Sequence, residues 1–290
     1  MRKIFKPVDI LSIAFILFLS AIVVVFSRSV PKPGWLLALY FVLIMTVISL
    51  AMYDVKSDTW KPVTYLHAFL PVVLVSLIFN SLGDIIPFVR PHYYDDLLIR
   101  IDYLMFGANP TIWLERFIHP VLTDILQFAY ISYYLIPLAL GIVLIVRKRY
   151  KVFDEAVFGI VLCFYLSYIG YILVPAVGPR YSMVHLQTTG LDANYFILSI
   201  QRLLNLLEHN KTDAFPSGHT AIALMTVYYA WKSGEKGLNI FLIPLVCALM
   251  FSTVYLRYHY VIDVIAGVAL TAITILIAPR MYRMLDNRAG

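Results

Sequence analysis

Phe215-Pro216-Ser217-Gly218-His219-Thr220 and Tyr258-His259-Tyr260-Val261-Ile262-Asp263 each stand at the head of a long apolar run, where a membrane helix would begin. In the second stretch His259 and Asp263 are four apart, so on a helix they share one face and the carboxylate reaches the ring. In the first, Pro216 suits the start of a helix, and Ser217 and Gly218 suit its open N-terminal turn. Unpaired backbone N–H groups at the positive end of the helix dipole make such a turn a ready anion site. His219 adds a proton donor beside it. A His-Asp pair, a second His and an anion-binding turn point to phosphate chemistry at a membrane surface.

The rest of the chain supplies the membrane. Of 290 residues, 61% are hydrophobic and 14% charged, which excludes an ordinary soluble domain. Apolar runs predict an all-α, polytopic bundle of about eight membrane helices, near 9–27, 35–53, 64–83, 122–146, 154–176, 217–232, 237–256 and 259–279. Three parts follow: N-terminal membrane helices over 1–83, an interfacial segment over 84–121 and a catalytic membrane core over 122–290. The first apolar run follows Arg2, Lys3 and Lys6, but its length and lack of a small-residue cleavage pattern favour a retained helix over a signal peptide. Cys163 and Cys247 both lie in apolar runs, so no disulfide framework is implied.

The net charge of +6 does not mark a nucleic-acid binder, because the Lys and Arg sit in short loops beside apolar runs. With the N-terminus in the cytoplasm, 14 of the 23 Lys and Arg fall on that side, the Arg147–Lys151 cluster foremost. Both termini are then cytoplasmic. Gly178-Pro179-Arg180, the Ser217–His219 turn and Arg257–His259 share the opposite face.

Asp84 to Thr123 is too polar to span. Leu97, Leu98, Ile101 and Leu104 have helical spacing, and Trp113, Leu114, Phe117 and Ile118 follow Pro110, which predicts two short amphipathic helices in the interface. They would either seal the bundle or help admit a lipid. Asn210-Lys211-Thr212 matches a glycosylation acceptor, a triplet that often arises by chance. His67 and the Tyr-rich faces of the fourth and fifth helices read as packing.

Phosphoryl transfer through a covalent intermediate needs a nucleophile, an orienting group, a leaving-group acid and cations. His259 suits the nucleophile, Asp263 its orienter and His219 the acid. Arg180 and Arg257 suit the phosphate oxygens, with the Ser217-Gly218 backbone and the Ser217 hydroxyl donating to them. A lone His-Asp pair would serve equally as a structural or proton-path element. The second His, the anion turn and two arginines on one face tip the reading to catalysis. The same ligand types would suit a metal, but no HxxxH or Cys pair supports one, and no cofactor is expected.

In these residues the chain resembles the type 2 phosphatidic acid phosphatase superfamily of membrane lipid phosphatases and phosphotransferases. Pro216-Ser217-Gly218-His219 followed by His259-x-x-x-Asp263 carries the likeness, over about residues 150–280. The resemblance implies a metal-independent enzyme with His259 as phosphohistidine nucleophile and His219 as leaving-group acid. Two departures stand out. Leu173 occupies the place of a Lys seven residues before Arg180, and Thr253 follows Ser252 where the family has Arg. Arg257, two before the nucleophile, would face away from His259 on a regular helix, so reaching phosphate requires a broken turn. Gly178-Pro179-Arg180, Tyr258-His259-Tyr260 and the run Asp95-Asp96 through Ile101-Asp102, Phe106-Gly107 and Pro110 are similar to the inositol phosphorylceramide synthase branch. That likeness implies a lipid phosphate or phospholipid substrate, with water or a lipid alcohol as acceptor. A polyprenyl diphosphate phosphatase, or a lipid transporter or scramblase, is the alternative. Nothing in the sequence sets an oligomeric state.

Overall fold

The structure is a computed structural model that describes residues 4–56, 61–191 and 209–288, so Arg2 and Lys3 lie outside the described residues. Ten main helices follow in order: α1 (Pro7–Val25), α2 (Pro33–Lys56), α3 (Lys61–Leu82), α4 (Asp95–Phe106), α5 (Pro120–Ile131), α6 (Ile136–Val146), α7 (Tyr150–Leu173), α8 (Gly218–Lys232), α9 (Lys236–Tyr255) and α10 (Val261–Arg288). No strand occurs among the described residues. The protein is an all-α integral membrane protein.

Among the described residues six helices are long and apolar enough to cross a bilayer: α1, α2, α3, α7, α9 and α10. The expected fourth span is the pair α5–α6, bent by 51° at a short break around Tyr134 and Leu135, and raises the number to seven. The expected sixth is α8. Its 15 residues reach about 22 Å, short of the ~30 Å hydrocarbon layer. This helix does not need to match the bilayer, because α6, α7, α9 and α10 surround it. The helix that carries His219 is thus sunk into the bundle.

The centre is α7, which packs against α1, α3, α6, α8 and α10. Tyr165 stacks on Phe15 at 4.2 Å and donates to Ser12 Oγ at 3.0 Å, while the Tyr168 hydroxyl donates to the Val75 carbonyl at 2.9 Å. Large rings fill the core, and their hydroxyls find partners on neighbouring helices.

One end of the bundle is stapled by charge. His67 reaches Asp9 through Nε2 and Asp54 through Nδ1, both at 3.0 Å, and Lys6 lies 3.6 Å from Asp54. With a carboxylate on each nitrogen, the ring satisfies both only when doubly protonated. Sequence reasoning took His67 for packing; here it ties α1, α2 and α3 together. Nearby, Arg149 donates to the Ser233 carbonyl and Lys232 to Glu155, at 2.5 and 2.7 Å, joining α7 to the end of α8. Removing one member of a buried ionic cluster leaves the others uncompensated. His67→Ala is expected to destabilise the protein by roughly 3–5 kcal/mol, read as a lowered unfolding temperature in detergent. An unchanged transition would show that the cluster does not staple the three helices.

Candidate active site

At the opposite end, α9 closes with a Schellman turn. Arg257 N–H donates to the Val254 carbonyl at 3.1 Å and Tyr258 N–H to the Thr253 carbonyl at 2.9 Å. The residue between is left-handed, a place normally given to glycine, yet it is Arg257 at φ 66°. Such a conformation costs about 1–3 kcal/mol and persists only when its surroundings hold it. Here the side chain holds it. The buried guanidinium donates to Glu115 Oε1 and Gln187 Oε1 at 2.9 Å each and to the Thr189 carbonyl at 2.6 Å. The broken turn that Arg257 would need to reach phosphate is therefore present, but the structure directs the side chain away from the two histidines. The turn itself delivers His259, whose N–H is also held by the Thr253 carbonyl at 3.0 Å.

A second anchor comes from α4. Its inward face is acidic: Asp95, Leu98 and Asp102 are buried, while Leu97, Tyr103, Leu104 and Phe106 face outward. The first of the two amphipathic helices expected from the sequence exists, with Asp95 and Asp102 turned in and Asp96 exposed beside its outward apolar residues. Asp95 accepts from Val177 N–H at 3.0 Å, Gly178 N–H at 2.9 Å and the Tyr260 hydroxyl at 2.8 Å. Asp102 accepts from Val261 and Ile262 N–H at 2.8 and 2.9 Å, which caps the start of α10. Burial raises the Asp102 carboxyl above its ordinary pKa, and the two N–H bonds oppose that.

The loop 178–180 is pinned to the His259 turn as well. Arg180 N–H donates to the Arg257 carbonyl at 2.8 Å, and the Arg180 guanidinium lies 5.0 Å over the Tyr258 ring. Gly178 has φ 82°, and a Cβ there would run into the Tyr258 carbonyl oxygen. Only glycine fits.

Between these anchors the two histidines meet. His219 Nδ1 and His259 Nε2 are 3.2 Å apart, and His259 Nδ1 lies 2.8 Å from the Ala214 carbonyl. A carbonyl only accepts, so Nδ1 of His259 carries the proton and Nε2 presents its lone pair towards His219. The Asp263 carboxylate lies 3.5 Å from Nδ1 and takes the Tyr260 N–H at 2.8 Å. The sequence made Asp263 the sole orienter; the nearer partner is the Ala214 carbonyl. Burial lowers the His259 ring below its ordinary pKa, while Asp213 and the Ala214 carbonyl pull upward.

The Ser217-Gly218 turn is less open than expected. Ser217 caps α8 by accepting from Thr220 N–H at 3.3 Å, its own N–H goes to the Asp263 carbonyl at 3.0 Å, and the Gly218 N–H bonds the Tyr171 hydroxyl. These groups lock α8 to α7 and α10, behind the histidines. A small cavity of about 30 Å³ lies in front, lined by Arg180, Lys211, Asp213, His219, Tyr258 and His259 among others. Ser217, Gly218 and Arg257 do not line it.

A family model described as the PAP2 superfamily matches residues 98–277. The chain belongs to the PAP2 superfamily. It is thereby an enzyme of the phosphatase type, associated with membranes and lipid phosphates. No curated protein and no solved structure matches the chain. Within this superfamily member, the loop that reads as a glycosylation triplet has a different use. Asn210 is buried, and its side-chain oxygen accepts from Thr212 N–H and hydroxyl at 3.0 and 2.8 Å, folding a turn that brings Lys211 and Asp213 to the cavity. Sequence reasoning missed both. The available signal was proximity, since each lies within a few residues of Pro216.

Glu115→Ala separates anchor from ligand. If Arg257 holds the turn, Glu115→Ala and Arg257→Ala are both expected to lower kcat by about tenfold or more with a smaller change in KM, because misplacing a reacting group costs on this scale. If Arg257 instead held phosphate, Glu115→Ala would leave kcat intact and Arg257→Ala would mainly raise KM.

Proposed function

We propose that this protein is a metal-independent lipid phosphatase or phosphotransferase that works through a phosphohistidine on His259. The observation that supports this best is the pairing of His259 Nε2 with His219 Nδ1, with the opposite edge of His259 fixed by a backbone carbonyl. In the first half-reaction the Nε2 lone pair attacks phosphorus and the bond to the lipid alcohol breaks. The leaving oxygen takes a proton from His219 Nδ1. To give up a proton and end neutral, His219 must first be charged, and an anionic phosphate beside it favours that form. In the second half-reaction His219 takes a proton from the incoming hydroxyl as its oxygen attacks phosphorus and the P–N bond breaks. Arg180 and Lys211 neutralise the phosphate oxygens, and Arg180 engages them bidentately. Asp263 and the Ala214 carbonyl stabilise the charged imidazole ring.

The acceptor is water or a lipid alcohol. The likeness to inositol phosphorylceramide synthases lies in Asp95, Asp102, Gly178-Pro179-Arg180 and Tyr258-His259-Tyr260; Asp95 bonds Gly178 and Tyr260, Asp102 bonds Val261 and Ile262, and Arg180 N–H bonds the Arg257 carbonyl, all beside His259. That likeness favours transfer to a lipid alcohol. The basic loop Arg147–Lys151 supports an orientation with the stapled end in the cytoplasm and the histidines towards the other face. Residues 1–83 form the N-terminal membrane part, 84–121 the interfacial part and 122–290 the catalytic part. A transporter would also contain a broken helix, as at α5–α6. Here the break abuts His219 through Tyr133, whose ring lies 4.3 Å from the imidazole.

Purified protein offered phosphatidic acid, a polyprenyl diphosphate, or phosphatidylinositol with ceramide is expected to release diacylglycerol, the polyprenyl monophosphate or diacylglycerol respectively, and to trap acid-labile, base-stable phosphate (inositol phosphate from phosphatidylinositol) on the chain. His259→Ala is expected to abolish both. Turnover that survives in His259→Ala overturns the assignment. The nucleophile must be neutral and its pKa is depressed, while His219 must be charged, so kcat/KM should not fall as the pH is lowered from 7 to about 6.5 and should turn down only in more acid solution. A fall beginning above pH 7 would contradict a depressed nucleophile pKa.

A further inference from the structure

A second, larger cavity of about 370 Å³ adjoins the first, and Asp213 and His219 belong to both. Its walls are Val75, Ser76 and Phe79 of α3, Phe164, Tyr168 and Tyr171 of α7, and Tyr133 and Tyr134 at the α5–α6 break. Its character differs from that of the phosphate cavity: mostly aromatic, with Ser76, Asn80, Asp213 and His219 as its other polar groups. Ser76 and Tyr134 are exposed, so its mouth lies on the flank of the bundle between α3 and the break, not at the polar end. The 51° bend turns α6 away at this point and leaves room that a continuous helix would fill.

We propose that this cavity seats the chain of a lipid alcohol, first as the leaving group and then, in transfer, as the acceptor. The proposal rests on the phosphohistidine reading above. His219 is the group that exchanges a proton with the alcohol oxygen, so the alcohol must lie against His219 on the side away from Arg180 and Lys211. The Tyr-lined cavity meets that condition. Its volume is near the low end of ligand sites, roughly 300–1,000 Å³, which suits the first part of one chain and leaves the remainder among membrane lipids. An apolar chain buried there gains on the order of 0.8 kcal/mol per methylene, binding energy that water as acceptor does not have.

The consequence is chain selectivity set far from the phosphate. In wild-type protein, kcat/KM for phosphatidic acids is expected to rise with acyl length from four carbons and then level off as the cavity fills. A flat profile overturns the proposal. Ser76→Trp, at the exposed mouth, is expected to lower the ratio of kcat/KM for dioleoyl phosphatidic acid to that for p-nitrophenyl phosphate by about tenfold, the scale of a lost apolar subsite. An unchanged ratio also overturns it, because bulk at the mouth would then obstruct both substrates equally or neither. Chain-dependent turnover that persists in His259→Ala would overturn the phosphohistidine reading instead, which keeps the two failures distinguishable.

Discussion

Two buried carboxylates on one short helix carry the geometry of this site. Asp95 and Asp102 lie seven residues apart on α4, two turns along one face, and together accept four backbone N–H groups and one tyrosine hydroxyl. The N–H groups belong to the loop before Arg180 and to the first turn of α10. A buried carboxylate without such donors would be costly, and buried N–H groups without acceptors equally so. Each side satisfies the other, and the two loops bearing Arg180 and His259 are thereby held in register. The segment that carries α4 is thus part of the site's framework.

The Arg257 turn extends the same logic. A glycine there would make a relaxed Schellman closure; an arginine makes a strained one and then secures it to Glu115, Gln187 and Thr189. Cations expected at the places of Leu173 and Thr253 are absent from the sequence, and the cavity is lined instead by Arg180 and by Lys211 from a neighbouring turn. Charge complementarity for an anion depends on where cations end in space, and several chain positions reach one point.

Much of this was legible in the residues. Apolar runs fix the membrane class, and the spacing of His219, His259 and Asp263 places them at helix starts. The runs misjudge two elements for one reason: a run records apolarity, not continuity. Thus α5 and α6 share one run yet bend at Tyr134, and α8 reads as a span though it is short and enclosed. The inward acids of α4 were hidden because solvent-facing and bond-making carboxylates look alike in sequence; the partners that distinguish them lie some 80 and 160 residues away. Lys211 and Asp213 were hidden because an Asx turn, not a helix face, brings them to the cavity.

The hydrogen bond between His219 and His259 has a further effect on the proposed chemistry. While it stands, each ring occupies the position the other needs, and a cavity of about 30 Å³ has room for little more than a water. A lipid alcohol arriving alone finds His219 Nδ1 already committed, with nothing to attack. Phosphorus bonding to Nε2 of His259 dissolves that pairing, and only then is the proton acceptor released to the second hydroxyl. The resting bond thus acts as a queue: donor before acceptor, enforced at the cost of about 1 kcal/mol for one buried hydrogen bond.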